Sequence, residues 1–110
     1  YWLSACVGMS RLEHFGKPVV IQEFGWYGGG ASSFIGPLPH RTEEAHADYM
    51  RLLIDTLIPH AVGFINWPLC DMPEASDISN HGGILTHDAR PKPLAAVYRD
   101  LAARLHGKPQ

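Results

Sequence analysis

Cysteine is scarce in this chain, long apolar runs are absent, and neither charge is in excess. The two cysteines, Cys6 and Cys70, form no CxxC pair, so a thioredoxin-like or zinc-ribbon reading has no support, and a Cys6–Cys70 disulfide stays open. No apolar stretch approaches the roughly 20 residues of a membrane-spanning helix. Nine basic against eleven acidic residues leave a net charge of −2. That balance argues against a nucleic-acid partner, because phosphate binding wants a clear basic excess. Disorder is excluded from the other side: 45% of the 110 residues are hydrophobic and only 18% are charged. These figures fit one compact domain or a piece of a larger one.

The usual chemical signatures are missing too. Seven histidines are scattered through the chain, with His40 and His46 flanking a helix start and His81 and His87 in a later loop. None falls into HxH, HExxH or a Cys/His cluster, so isolated surface histidines are expected rather than metal ligands. Asp71, Glu74 and Asp77 lack the EF-hand pattern and read as a solvated acidic loop. Gly28-Gly29-Gly30 matches neither GxGxxG nor the Walker loop, and no GxSxG elbow exists.

What is present is alternation. Trp2, Ala5, Cys6, Met9 and Leu12 recur at helical spacing, and Gly16-Lys17-Pro18 breaks that helix. Val19 to Phe24 is a short β-branched run, the mark of a strand buried on both faces. After a long Gly/Pro loop, Thr42 offers an N-cap and Glu43 and Glu44 suit the first helical turn. The predicted apolar stripe there is Ala45, Tyr49, Leu52, Leu53 and Leu57, ended by Pro59. Ala61 to Trp67 is a second buried-strand run, and Pro93 opens a third helix with the stripe Leu94, Val97, Tyr98, Leu101 and Leu105. The order α-β-α-β-α predicts an α/β fold with parallel strands.

In such folds functional groups gather where the strands end. Alternation along the first strand predicts Val19, Ile21 and Glu23 on one face, with Gln22 turned the other way. A carboxylate finishing an apolar row is either a structural acceptor of hydrogen bonds or a working group. Trp67 is expected on the face of Ala61, Gly63 and Ile65, as core or as the floor of a sugar-binding pocket. Trp26 and Tyr27 either wall the same pocket or anchor their loop.

Three segments resemble a known group. Gly16-Lys17-Pro18-Val19-Val20-Ile21-Gln22-Glu23-Phe24-Gly25 looks like the seventh strand of the clan A glycoside hydrolases. These are (β/α)8 barrels that include the family 5 cellulases and mannanases and related β-galactosidases. Gly63-Phe64-Ile65-Asn66-Trp67-Pro68 is similar to their eighth strand, and the stretch from Gly83 to Pro93 to the turn before their final helix. The resemblance implies residues 1–110 as an incomplete C-terminal part of a TIM barrel, which usually needs about 250 residues. The aromatic opening Tyr1-Trp2-Leu3 fits that expectation of a missing upstream part.

The resemblance further implies that Glu23 is the nucleophile of a retaining β-glycosidase. Trp67, with Trp26, Tyr27 and Asn66, would contact a carbohydrate substrate. No cofactor and no metal are implied. The acid/base Glu of this group follows an Asn, and no Asn-Glu pair occurs here, so that group is expected upstream. The alternative is a non-catalytic carbohydrate-binding or remnant domain.

Overall fold

The computed structural model describes Gly8, Arg11, Leu12, residues 15–29 and residues 39–107. Of the helix expected over 2–14, those three described positions settle little; Gly8, Arg11 and Leu12 are helical, and the rest lies outside the described residues. The other expected elements are present. Strand β1 runs Val20–Phe24, helix α1 Glu43–Leu57, strand β2 Gly63–Asn66 and helix α2 Leu94–His106. The two strands pair in parallel. A crossover helix between parallel neighbours is the βαβ unit of α/β folds. Among the described residues no helix is long and apolar enough to cross a membrane.

Helix α1 starts where its capping chemistry says it should. Thr42 is extended, and its Oγ1 accepts from Ala45 N at 3.0 Å. The helix ends at Leu57, and Pro59 sits inside the short 3-10 turn of Ile58–His60. Its buried face differs from the predicted stripe. Ala47, Met50, Leu53, Ile54 and Leu57 are buried, whereas Leu52 is 66% exposed. Leu52 is followed directly by two buried residues, and a helix face wide enough for 50, 53, 54 and 57 turns position 52 outward. Helix α2 keeps its predicted stripe: Leu94, Val97 and Leu101 are buried, with Tyr98 and Leu105 packed against them.

Both helices cover one face of the two-stranded sheet. Phe24 lies in the core, and Val19, Ile21 and Phe64 pack against it. The opposite face carries Val20 at 48% exposure, Ile65 at 54% and Trp67 at 55%. Ala61 stands apart from the row predicted for it, because it is buried in the helix-side core.

Simple alternation fails in β1. Ile21 pairs with Phe64 and Phe24 with Asn66, so Gln22 and Glu23 together stand opposite Ile65. This is a bulge, one extra residue on one strand. Glu23 makes the turn with φ +52°, in the left-handed region that non-glycine residues seldom occupy. The bulge separates Glu23 from the face of Val19 and Ile21 on which alternation placed it. Val19 and Ile21 turn to the helices, while Gln22 and Glu23 are both exposed.

Candidate functional site

The carboxyl ends of β1 and β2 are fastened to each other. Trp67 N donates to Phe24 O at 3.1 Å. The next residue of the first strand is Gly25, where a Cβ would lie 2.9 Å from the carbonyl oxygen of Trp67. Glycine is required by that close approach. The result sets an exposed carboxylate, Glu23, and a half-exposed indole, Trp67, at the ends of neighbouring strands. Ile65 and Val20 continue the open face below them.

The other three candidates go elsewhere. Tyr27 is 2% exposed, and its hydroxyl donates to Pro39 O at 2.7 Å. Trp26 packs on Tyr27 and Tyr49 with ring centroids 5.4 and 5.5 Å away. Arg41 lies over all three rings, its Cζ 5.8, 5.4 and 5.3 Å from the centroids of Trp26, Tyr27 and Tyr49. This is a loop anchor built by cation–π stacking. Asn66 turns towards the helices. Its Nδ2 donates to Pro68 O at 2.7 Å and Gly82 O at 3.1 Å, and its Oδ1 accepts from the Tyr98 hydroxyl at 3.0 Å. Burial of Tyr98 pushes its phenol pKa up.

Several residues that shape the site escape any local pattern. Asp71 was expected in a solvated acidic loop, yet its Oδ1 accepts from Gly83 N at 2.8 Å and from Lys92 Nζ at 3.0 Å. Lys92 is 2% exposed and also donates to His81 O at 3.0 Å. Gly28 N donates to the same carbonyl at 3.0 Å, so the loops after β1 and β2 meet there. Glu74 and Asp77 are exposed, as expected, and Asp77 caps the 3-10 turn Ile78–Asn80 through Ser79 N at 2.8 Å. That hydrogen bond holds the Asp77 carboxyl below its ordinary range.

His46 is the second departure, being wholly buried rather than on the surface. Its ring has no hydrogen-bond partner, and neither do Trp26 Nε1 and Arg41 Nε. Burial lowers its pKa to about 3, helped by the charges of Lys92 and Arg41. At the start of α1, Glu43 takes a bidentate contact from Arg90 at 2.7 and 3.2 Å, and that contact lowers its pKa. Among the described residues no cluster of His, Cys, Asp or Glu could hold a metal, and Cys70 is a free thiol.

Parallel strands joined by a helix, with polar and aromatic side chains at their carboxyl ends, are the βαβ arrangement of α/β proteins, barrels among them. Known structures give that class its particular form: the solved chains this one matches include glycoside hydrolases with TIM-barrel folds, in keeping with the C-terminal portion of a clan A barrel. A β-glucuronidase from Bifidobacterium dentium, complexed with coumarin-3-O-glucuronide, is 27% identical over 96% of this chain and 17% of its own, with a TM-score of 0.65. A family 5, subfamily 18 glycoside hydrolase from Streptomyces cattleya, in complex with GlcNAc, is 23% identical over 84% of this chain and 21% of its own, with a TM-score of 0.61. A β-glucuronidase from Faecalibacterium prausnitzii is 22% identical over 94% and 19%, with a TM-score of 0.60. The chain thus spans about a fifth of the length of the structures it matches. No family model and no curated protein matches it.

Proposed function

We propose that the chain is the strand-seven and strand-eight portion of a retaining β-glycosidase, with Glu23 as nucleophile and Trp67 as the sugar platform. The observation that carries this reading is the bulge. It takes a carboxylate that alternation would aim at the helices and exposes it on the open face, beside the end of the strand that carries Trp67. A charge kept off a buried face and held in a left-handed conformation fits a working group better than a structural acceptor.

In this mechanism a Glu23 carboxylate oxygen attacks the anomeric carbon. The bond to the leaving oxygen breaks as a second carboxyl group, about 5–5.5 Å away, protonates that oxygen. Water, activated by the second group, then releases the sugar from Glu23. The apolar face of the sugar ring would stack on the Trp67 indole. The acid/base carboxylate belongs to a strand of the parent barrel other than β1 and β2. The near-neutral charge balance of the chain, −2 overall, suits an uncharged ligand.

The test is Glu23→Ala in the complete parent barrel, assayed on aryl β-glycosides. The expected result is loss of hydrolysis with retained substrate binding. Hydrolysis near the wild-type rate would overturn the nucleophile assignment. The 110-residue chain alone is expected to show no turnover. Sugar binding without hydrolysis in the unmutated barrel would support the non-catalytic reading instead.

A further inference from the structure

We propose that Asn66 is a positioning residue that fixes the backbone around Trp67, and that Tyr98 of α2 is its anchor. Three of the four hydrogen-bonding positions of the Asn66 amide are filled. Its two N–H donors go to Pro68 O and Gly82 O, and its oxygen accepts from Tyr98. The reverse orientation of the amide would set its oxygen against two carbonyl oxygens, so the network fixes which way the group points.

The bond to Pro68 O is the informative one, because it bridges residue 66 to residue 68 across Trp67. Trp67 N is held by Phe24 O, and Trp67 O faces the bare Cα of Gly25. The peptide N–H of Trp67 and the carbonyl of the following Pro68 are therefore both held, while the indole itself stays 55% exposed. Such a division, rigid backbone beneath an open ring, is what a preorganised binding surface requires. Tyr98 supplies the link to the core: its ring packs against the buried cluster and its hydroxyl leaves that cluster only to meet Asn66. Burial pushes the phenol pKa up, which favours the protonated form that donates to Asn66. A sequence scan sees Asn66 beside Trp67 and counts both as ligand contacts. The hydrogen bonds divide them into a support and a surface.

The value of this arrangement for sugar binding rests on the glycosidase reading, but its test does not. The 110-residue chain is labelled with 5-fluorotryptophan, and its three tryptophan 19F resonances are assigned by single Trp→Phe substitutions. Tyr98→Phe removes the hydroxyl and keeps the ring in the core, so the fold is retained. The expected result is a shift or broadening of the Trp67 resonance with the Trp26 resonance unmoved, and the same pattern in Asn66→Ala. An unmoved Trp67 resonance in both variants overturns the proposal. So does an equal disturbance of Trp26, which would mean general loosening of the core. Absence of glycosidase activity in the parent barrel would sink the functional reading and leave this selective shift standing.

Discussion

Lys92 Nζ and Asp71 Oδ1 meet at 3.0 Å across 21 residues of chain, with the lysine side chain fully buried and that of the aspartate 11% exposed. The pair closes the long loop after β2 on itself. Removing one partner strands the other charge, a loss of about 3–5 kcal/mol in comparable settings. Lys92→Met or Asp71→Asn alone is expected to lower stability by that order. The double variant Lys92→Met with Asp71→Asn should lose less than the two single losses combined. Urea unfolding of the four proteins measures the coupling.

Glu23 holds a backbone conformation that costs a residue with a Cβ about 1–2 kcal/mol. Glu23→Gly relieves it and Glu23→Ala does not. The glycine variant should therefore be the more stable of the two by about 1 kcal/mol, although both remove the carboxylate. Equal denaturation midpoints would argue that the bulge relaxes when the side chain is lost.

Acid should destabilise the fold through His46 before it does so through carboxylates. The ring is neutral when folded, with a pKa of about 3, and takes a proton near its ordinary value of 6.5 when unfolded. Between those values the unfolded state binds the extra proton, so stability rises with pH and falls as pH drops through the window. The slope approaches about 1.4 kcal/mol per pH unit, for a total on the order of a few kcal/mol. Glu43, Asp77 and Asp88 also have lowered pKa values, but they begin to protonate only towards their ordinary values of 4.5 and 3.8. Comparing urea midpoints at pH 7 and pH 5.5 therefore stays above the range in which those carboxylates titrate. His46→Leu is expected to flatten that difference.

Gly25→Ala inserts a Cβ 2.9 Å from a backbone oxygen, which cannot rotate away. The two strand ends must separate, at a cost of about 1–3 kcal/mol. Trp67 fluorescence should shift with it, because its N–H bond to Phe24 O spans the same gap. An unchanged spectrum would mean that the strand ends are held by other contacts.

The order of elements was legible because each has a local cause: β-branched runs for the strands, a Thr42 cap and Pro59 stop for α1, and a 94-97-101 stripe for α2. The bulge was not, because it turns on Glu23, and a glutamate at positive φ carries no glycine or asparagine mark. Leu52 misled for a related reason: an apolar residue beside a stripe looks like part of it. Asp71, Lys92, Asn66 and Tyr98 act through partners 12 to 32 residues away, which no local window can pair. His46 was misread because position on a helix, not residue type, decided its burial.

The bulge also sets depth. Three steps of β1, from Ile21 to Phe24, match two steps of β2, from Phe64 to Asn66. Counting onward from that last pair, Trp67 is level with Gly25, and Glu23 stands two tiers lower, about 6–7 Å along the strand direction. On the proposed reading, the site would have a rim and a floor rather than two opposed walls. A molecule lying on the indole must be met from beneath, and the length of the side chain at position 23 decides whether it is reached. Glu23→Asp, which keeps the charge, would shorten that reach by a methylene.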